Sequence, residues 1–556
     1  MEAPNTIPSR QSAEEFFKAR EALIAREKQQ RSDYAFRQSL SPVAKQACSI
    51  VASIRNEEKR TIWKTEGNPE LDQNELFPGM MFNVAKEHME STKLWQIVRK
   101  MPKGALLHAH LGATVELDWV FNEALATPGM QMSAPVPLST EKARDTSLIT
   151  FRYSGTTLNE VPSIWSPEYP PKTLVPIKLA ADTFPDGGRD GFIAWIKNRC
   201  SITQTESLQH HLGVDDVWRK LQMAFIIVGP VIYYEPILRA FMQKLLRTLK
   251  DDGVRWLEGR TLFSVPFTPE GSETYTRGAM ELCEVLNQEI EKFMASEDGK
   301  GFWGARFIWT SMRGQESSTL IDDMKLCVQA KKRYPKFLEG YDLVGPEDLG
   351  RTLHDLTPDI LFFQEECKRE GVDIPFFFHA GECLGDGDET DSNLFDAILF
   401  GTRRIGHAFS LYKHPLLIDM VKEKKILVES CPISNEVLRY TASILSHPLP
   451  ALLSRGVTAA LSNDDPALLG QGTSGLTHDF WQALQGWENL GLAGLGSLAQ
   501  NSVRWSVFED QTEEDWHETI EQGAAGTGIR AKHIQEWNTD WETFCQWVVD
   551  EFGPNA

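Results

Sequence analysis

Five short stretches, far apart in this 556-residue chain, end in residue types that metal-assisted hydrolysis needs. They are Leu107-His108-Ala109-His110, Gly340-Tyr341-Asp342-Leu343-Val344-Gly345, Phe378-His379-Ala380-Gly381-Glu382, Arg404-Ile405-Gly406-His407 and Ser462-Asn463-Asp464-Asp465-Pro466. His108 and His110 stand two apart, so on a strand both side chains face the same way. Neutral imidazole is a good ligand for a divalent metal. His379 closes the apolar run Ile374-Pro375-Phe376-Phe377-Phe378, and Asp464 follows Val457-Thr458-Ala459-Ala460-Leu461. Three imidazoles and one carboxylate can surround one ion and leave a place for water, which then becomes a nucleophile at neutral pH. Zinc suits this set, and iron, cobalt and manganese are compatible with it. Glu382 lies three residues past a ligand candidate, within reach of the same cavity. Each residue also has a plain structural reading. His407 reads as a core histidine, Glu382 as an acid at a helix start, Asp464-Asp465 as a solvated turn and Gly345 as a turn glycine. Arg260 and Arg313, at two further strand ends, read as structural pairs at a barrel mouth. The chemistry rests on the conjunction.

Something must bring these stretches together. From Gly104 onward, short apolar runs alternate with helical segments, which predicts βα units. Eight candidate strands fall at about 104–110, 254–262, 306–312, 340–344, 374–379, 403–407, 426–430 and 457–462. Runs such as Lys425-Ile426-Leu427-Val428-Glu429 suit a parallel sheet covered on both faces. Eight such units predict an α/β fold of the TIM (β/α)8 type, whose site lies at the C-terminal ends of the strands. The candidate residues fall at those ends.

Residues 1–100 carry no site chemistry and predict a helical N-terminal extension. Ser12-Ala13-Glu14-Glu15 has capping-box spacing, and Ser41-Pro42 offers a second helix start. The barrel is expected over 101–556. The gap after its first strand is too long for one loop, and 125–190 reads as an inserted lobe near the barrel mouth. The apolar run Met223 to Tyr234 reads as a buried helix, too short to span a bilayer. Ile534, Trp537, Trp541, Phe544 and Val548 form a helical stripe that faces a core.

Lys plus Arg is 57 and Asp plus Glu is 78, a net charge of −21. So acidic a chain argues against nucleic acid or an anionic membrane as partner. The eight cysteines are scattered without CxxC pairs, as reduced thiols in a cytoplasmic protein would be.

Together and in this order, the motifs resemble the adenosine deaminase family of the amidohydrolase superfamily. The resemblance covers about Met101 to Gly472. It implies a hydrolase that deaminates adenosine or 2′-deoxyadenosine, with one zinc per chain on His108, His110, His379 and Asp464. Strand four carries no lysine to bridge a second metal. In the family the equivalent of Glu382 protonates the purine ring, and that of His407 holds the attacking water. Asp465 would accept a proton or orient that water and face the substrate, and the Gly345 amide would meet a ring nitrogen. Met101-Pro102-Lys103-Gly104-Ala105-Leu106-Leu107-His108, Cys431-Pro432-Ile433-Ser434-Asn435 and the long insertion resemble the adenosine-deaminase-related growth factor branch, which implies a homodimer. Two departures stand out. Leu111-Gly112-Ala113 lacks the carboxylate that contacts the ribose 5′-hydroxyl in relatives, which opens modified adenosines, adenine or AMP-like molecules as alternatives. No signal segment is evident, which points away from secretion. A binding or signalling relative without turnover is the alternative from another class.

Overall fold

Eight short, mostly apolar runs become parallel strands: β1 (Gly104–His110), β2 (Val254–Thr261), β3 (Gly304–Met312), β4 (Leu338–Val344), β5 (His379–Ala380), β6 (Arg404–His407), β7 (Leu427–Ser430) and β8 (Ala459–Leu461). The computed structural model describes residues 10–63, 77–156, 162–275 and 278–553. Strands β1 to β4 pair in order as one sheet and β5 to β8 as another. Two seams join them. At one, the Tyr341 N–H donates to Pro375 O and the Phe377 N–H to Tyr341 O, both at 3.0 Å. At the other, the His110 N–H donates to Asp464 O at 3.0 Å and the Asp464 N–H to His108 O at 3.1 Å. The seams close an eight-stranded parallel barrel, the predicted TIM architecture.

Seven strands lie within two residues of their predicted spans. The fifth is shorter than 374–379. Pro375 has no N–H to donate, so the pairing with β4 shrinks to the single bridge between Tyr341 and Phe376.

The barrel interior is filled in layers. Ala105, Leu107, Ile308, Phe377, Leu427 and Ala460 form an apolar plug, sealed by Trp505, Val507 and Trp516 from the C-terminal region. The register of β1 shifts between Leu106 and Ala109. Such an irregularity re-aims side chains, so that Leu107 joins the plug while His108 and His110 still reach the site.

Helices cover the outside. The predicted start at Ser41-Pro42 is present: the Ala44 N–H donates to Ser41 Oγ at 3.0 Å, with Pro42 opening α2 (Pro42–Thr61). The capping box at Ser12 is not, because α1 (Arg10–Gln29) already includes Arg10 and Gln11, both good helix formers. Helix α3 (Val214–Ile232) corrects the reading of Met223 to Tyr234 as simply buried. Leu221, Ala224, Ile227, Val228 and Val231 face the core, whereas Ile226 is 52% exposed. Helix α4 (Glu235–Asp251) leads into β2, and α5 (Ile529–Phe552) carries the predicted stripe, all five members buried. The Trp537 Nε1–H donates to Pro102 O at 3.1 Å and ties α5 to the start of β1. Between β1 and α3, the strands 130–133, 150–153 and 175–176 form a small separate sheet. All eight cysteines are unpaired. Among the described residues, no helix is long and apolar enough to cross a membrane.

Candidate metal centre and active site

The C-terminal ends of four strands deliver seven polar side chains to one cavity of about 630 Å³. His110, His379, Glu382, His407, Asp464 and Asp465 line it directly, and His108 lies buried at its floor. The His108 ring centre is 4.5 Å from that of His379, 4.8 Å from His407 and 5.5 Å from His110. Asp464 Oδ1 stands 3.4 Å from His108 Nε2 and 3.2 Å from His110 Nε2.

What lies beneath sets which ring atoms face inward. His108 Nδ1 is 2.8 Å from Glu429 Oε2, and His379 Nδ1 is 2.6 Å from Asp342 Oδ2. Each carboxylate fixes the proton on Nδ1 and leaves the Nε2 lone pair free. Both carboxylates are in turn held by one guanidinium: Arg260 Nε donates to Asp342 Oδ2 at 2.8 Å and Nη2 to Glu429 Oε2 at 2.7 Å. Arg260 therefore does not sit as an independent pair at the barrel mouth. It is wedged beneath the imidazoles, also bonded to Leu107 O and Phe377 O. Arg313 reaches Leu343 O and His379 O and stands near Glu347.

His407 is turned the other way. The Leu449 N–H donates to His447 Nδ1 at 3.1 Å, so the His447 proton is on Nε2, 3.0 Å from Asn435 Oδ1. That contact points the Asn435 amide group at His407 Nδ1, 3.3 Å away. His407 then carries its proton on Nε2 and presents an N–H to the cavity. Candidate ligand atoms of His108, His379, His407 and Asp464 lie within 4.8 Å of one another, and so do those of His110, Asp464 and Asp465. Proton placement separates the histidines: His108 and His379 offer lone pairs, and His407 offers a donor.

Several buried atoms here have no hydrogen-bond partner: His108 Nε2, His407 Nε2, Asp464 Oδ1, Asp465 Oδ1 and Glu382 Oε1. Unpaired buried polar atoms are costly, and an imidazole and carboxylate set of this kind is what a divalent cation takes. The residues present fit a metal ion.

Backbone and charge are both under tension at this site. Asp464 and His407 adopt φ of 60° and 62°, a left-handed conformation that is costly outside glycine and clusters at functional sites. Burial, with Asp464, Glu347 and Asp465 nearby, raises the Glu382 carboxyl well above its usual range. Burial and Asp464 do the same to Asp465. Burial also pushes Asp464 up, but His407 and the other imidazoles overcome it and hold the carboxyl well below its usual value. His379 is lowered to about 3 by burial, against the pull of Asp342. The Glu382 N–H donates to Glu347 Oε1 at 2.7 Å, and Asn393 steadies the other Glu347 oxygen. Gly345 lines the cavity at φ 102°, a conformation that other residues rarely adopt.

Sequence reasoning missed Asp342, Glu429, Glu347, Asn435 and His447. Glu429 left a signal, since it is a charged residue within the apolar run that forms β7. Gly406 left none. A Cβ there would stand 2.8 Å from His108 Cε1 and 3.2 Å from its Nδ1. Gly406→Ala is therefore expected to turn His108 off Glu429 and weaken metal binding by about 10- to 100-fold with the fold kept. Unchanged metal affinity, measured by competition with a chelator, would contradict this.

Acid should loosen the His447 arm. Burial holds His447 down to about 3 from its ordinary 6.5. Between those values the unfolded chain binds a proton that the folded chain refuses. The stabilisation is complete above pH 6.5 and lost as pH falls toward 3. The drop in urea midpoint from about pH 7 to about pH 4.5 should be smaller in His447→Gln than in the parent. Equal drops would remove the assignment.

Residues 200–522 match the family model described as adenosine deaminase. A Dictyostelium discoideum protein named adenosine deaminase 2 is 30% identical over 496 residues, covering 87% of this chain and 81% of the relative. An adenosine deaminase of Lutzomyia longipalpis is 29% identical over 464 residues, covering 82% of this chain and 80% of its own. Among solved structures, an amidohydrolase from B. ambifaria with bound zinc superposes with a TM-score of 0.51 at 16% identity, over 84% of this chain and 99% of that one. That likeness concerns the fold alone.

Proposed function

This chain belongs to the adenosine deaminase family of hydrolytic deaminases, and from that premise we propose that it deaminates adenosine or 2′-deoxyadenosine to the inosine-type product and ammonia, using one zinc ion. His108, His110, His379 and Asp464 would hold the ion. When bound, it acidifies a water to a pKa of about 7 and so supplies the nucleophile at neutral pH.

The remaining steps fall to this chain's own groups. Glu382 keeps its proton because burial and three neighbouring carboxylates disfavour its charge. It donates to the purine ring nitrogen beside the amine-bearing carbon, which makes that carbon electrophilic. His407 turns its Nε2–H to the site and stabilises negative charge as the nucleophile attacks. Asp465 orients the nucleophile, whose proton passes to the departing ammonia, and the Gly345 amide positions the ring. The single observation that carries this reading is the convergence of orphaned imidazole and carboxylate atoms beside the buried Glu382 carboxyl.

The test is metal-replete protein with adenosine, following loss of adenine absorbance and release of ammonia. Turnover supports the reading, and silence on adenosine, 2′-deoxyadenosine and 5′-modified adenosines sinks it. The unpaired cysteines support a reducing, cytoplasmic location, which labelling of the endogenous protein checks. Phe16, Phe17 and Leu23, which α1 leaves exposed, support pairing of two copies through the N-terminal helices. A sedimentation mass near 62.8 kDa would remove that proposal.

A further inference from the structure

The purine's orientation in this cavity is fixed by chemistry at one end. Its amine-bearing carbon must face the imidazole and carboxylate floor, and the ring nitrogen beside it must meet Glu382. The glycosidic nitrogen lies on the far side of the bicycle, so the sugar points to the outer walls. Those walls are apolar. Helix α3 contributes Trp218, Leu221, Phe225, Ile226 and Pro230, and the segment after β2 contributes Leu262, Val265 and Pro266. The polar groups facing the sugar are the neutral Gln222 and Tyr233, with Thr261 and Thr310 deeper in. Among the described residues lining the cavity, every carboxylate is on the floor, and the one cation, Arg260, is already bonded to Asp342 and Glu429.

Two further observations concern the rim. Ile226 is 52% exposed and Tyr275 63% exposed at the mouth of this cavity, so apolar surface faces outward where the far end of a ligand would lie. Gly112 supplies no side chain beside Phe225 and Tyr233. A Cβ there would find the Phe225 ring and the Tyr233 hydroxyl at an ordinary 3.7 Å, so that stretch of wall stays uncharged. A phosphate would meet no free cation among these residues. A 5′-hydroxyl would lose water against a wall of rings and aliphatic groups in which the Tyr233 hydroxyl and the Gln222 amide are its polar neighbours, and it is disfavoured unless one of them bonds it. An apolar 5′ substituent would instead remove apolar surface from water on both sides.

We infer that the preferred substrate is an uncharged purine nucleoside carrying an apolar group, such as a thioether, on its 5′ carbon. This rests on the deaminase reading above and narrows its substrate. The base is processed as for adenosine. Selectivity comes from α3, with Phe225 and Ile226 packing on the 5′ group.

The experiment compares kcat/KM on adenosine, 5′-deoxyadenosine, 5′-deoxy-5′-methylthioadenosine and AMP with zinc-loaded enzyme. The methylthio compound should exceed adenosine by about tenfold or more, the range that one added apolar group gains in an apolar pocket. 5′-Deoxyadenosine should fall between them, and AMP below all three. In Phe225→Ala, kcat/KM should drop for the methylthio compound much more than for adenosine. Adenosine equal to or better than the methylthio compound, AMP as the best substrate, or an equal loss on both nucleosides in Phe225→Ala would each overturn the inference while leaving the deaminase reading intact. Release of ammonia from none of the four would overturn both.

Discussion

Glu382→Gln should retain metal and melting temperature while kcat falls by about 10²- to 10⁴-fold, the usual contribution of a positioned acid. The amide keeps the size of the side chain and can still donate a hydrogen bond, but it has no proton to give. The loss should fall on kcat rather than KM, because donation matters once charge develops on the ring. The burial that favours a protonated Glu382 also predicts that this residue contributes nothing to the acid limb near neutrality in the parent. Burial and the neighbouring carboxylates raise its carboxyl well above the usual range, so loss of its proton should shape the alkaline limb of the pH profile. Full activity in Glu382→Gln, with zinc content unchanged, would take this residue out of the chemistry.

Arg260→Met has the largest structural consequence. The guanidinium is wholly buried between Asp342 and Glu429, themselves wholly buried. Burial raises both carboxyls, yet Arg260 and the facing charged groups hold them below their usual range. Methionine replaces the volume but leaves two buried carboxylates short of a partner, at a cost of about 3–5 kcal/mol. The same change frees the two groups that orient His108 and His379, so metal affinity should fall by about 10- to 100-fold. Arg260→Lys restores a charge without the fork that reaches both acids and should recover only part of each loss. Chemical denaturation and metal titration of the three proteins give the result. A methionine variant as stable as the parent would show that the pair of acids is neutralised by other means.

Much of this was legible in the sequence because the site residues close strands. His379 ends an apolar run and Asp464 follows another, so their chemistry and their place at a barrel end are one local signal. What the sequence hides is adjacency around the barrel. Glu429 on β7 lies under His108 on β1 only because the barrel closes, and nothing near either residue states it. The same holds for Asp342 under His379, and for Arg260, whose place at a strand end reads as a structural pair at the barrel mouth although both its acids lie on other strands. Asn435 sits in the six-residue helix Pro432–Val437 and His447 in a connecting segment, both too short to show a periodicity. Helix α3 misled for a different reason. Apolar side chains that line a ligand cavity have the same composition as a core, and hydrophobic pattern alone does not distinguish them. The β5 ladder shrank at Pro375, where a missing N–H outweighed an aromatic run well suited to a strand.

The seam between β8 and β1 carries a temporal consequence. Asp464 there hydrogen-bonds through its backbone to His108 and His110, and the same three residues turn their side chains to the proposed ion. Strand closure and site assembly therefore depend on the same residues. On the ribosome, the first two histidines emerge long before the aspartate that completes their set. A nascent chain stalled short of Asp464 would therefore hold most of the barrel and none of the activity. Capture of the ion would coincide with the joining of first strand to last, a clasp fastened only once all eight strands have been made.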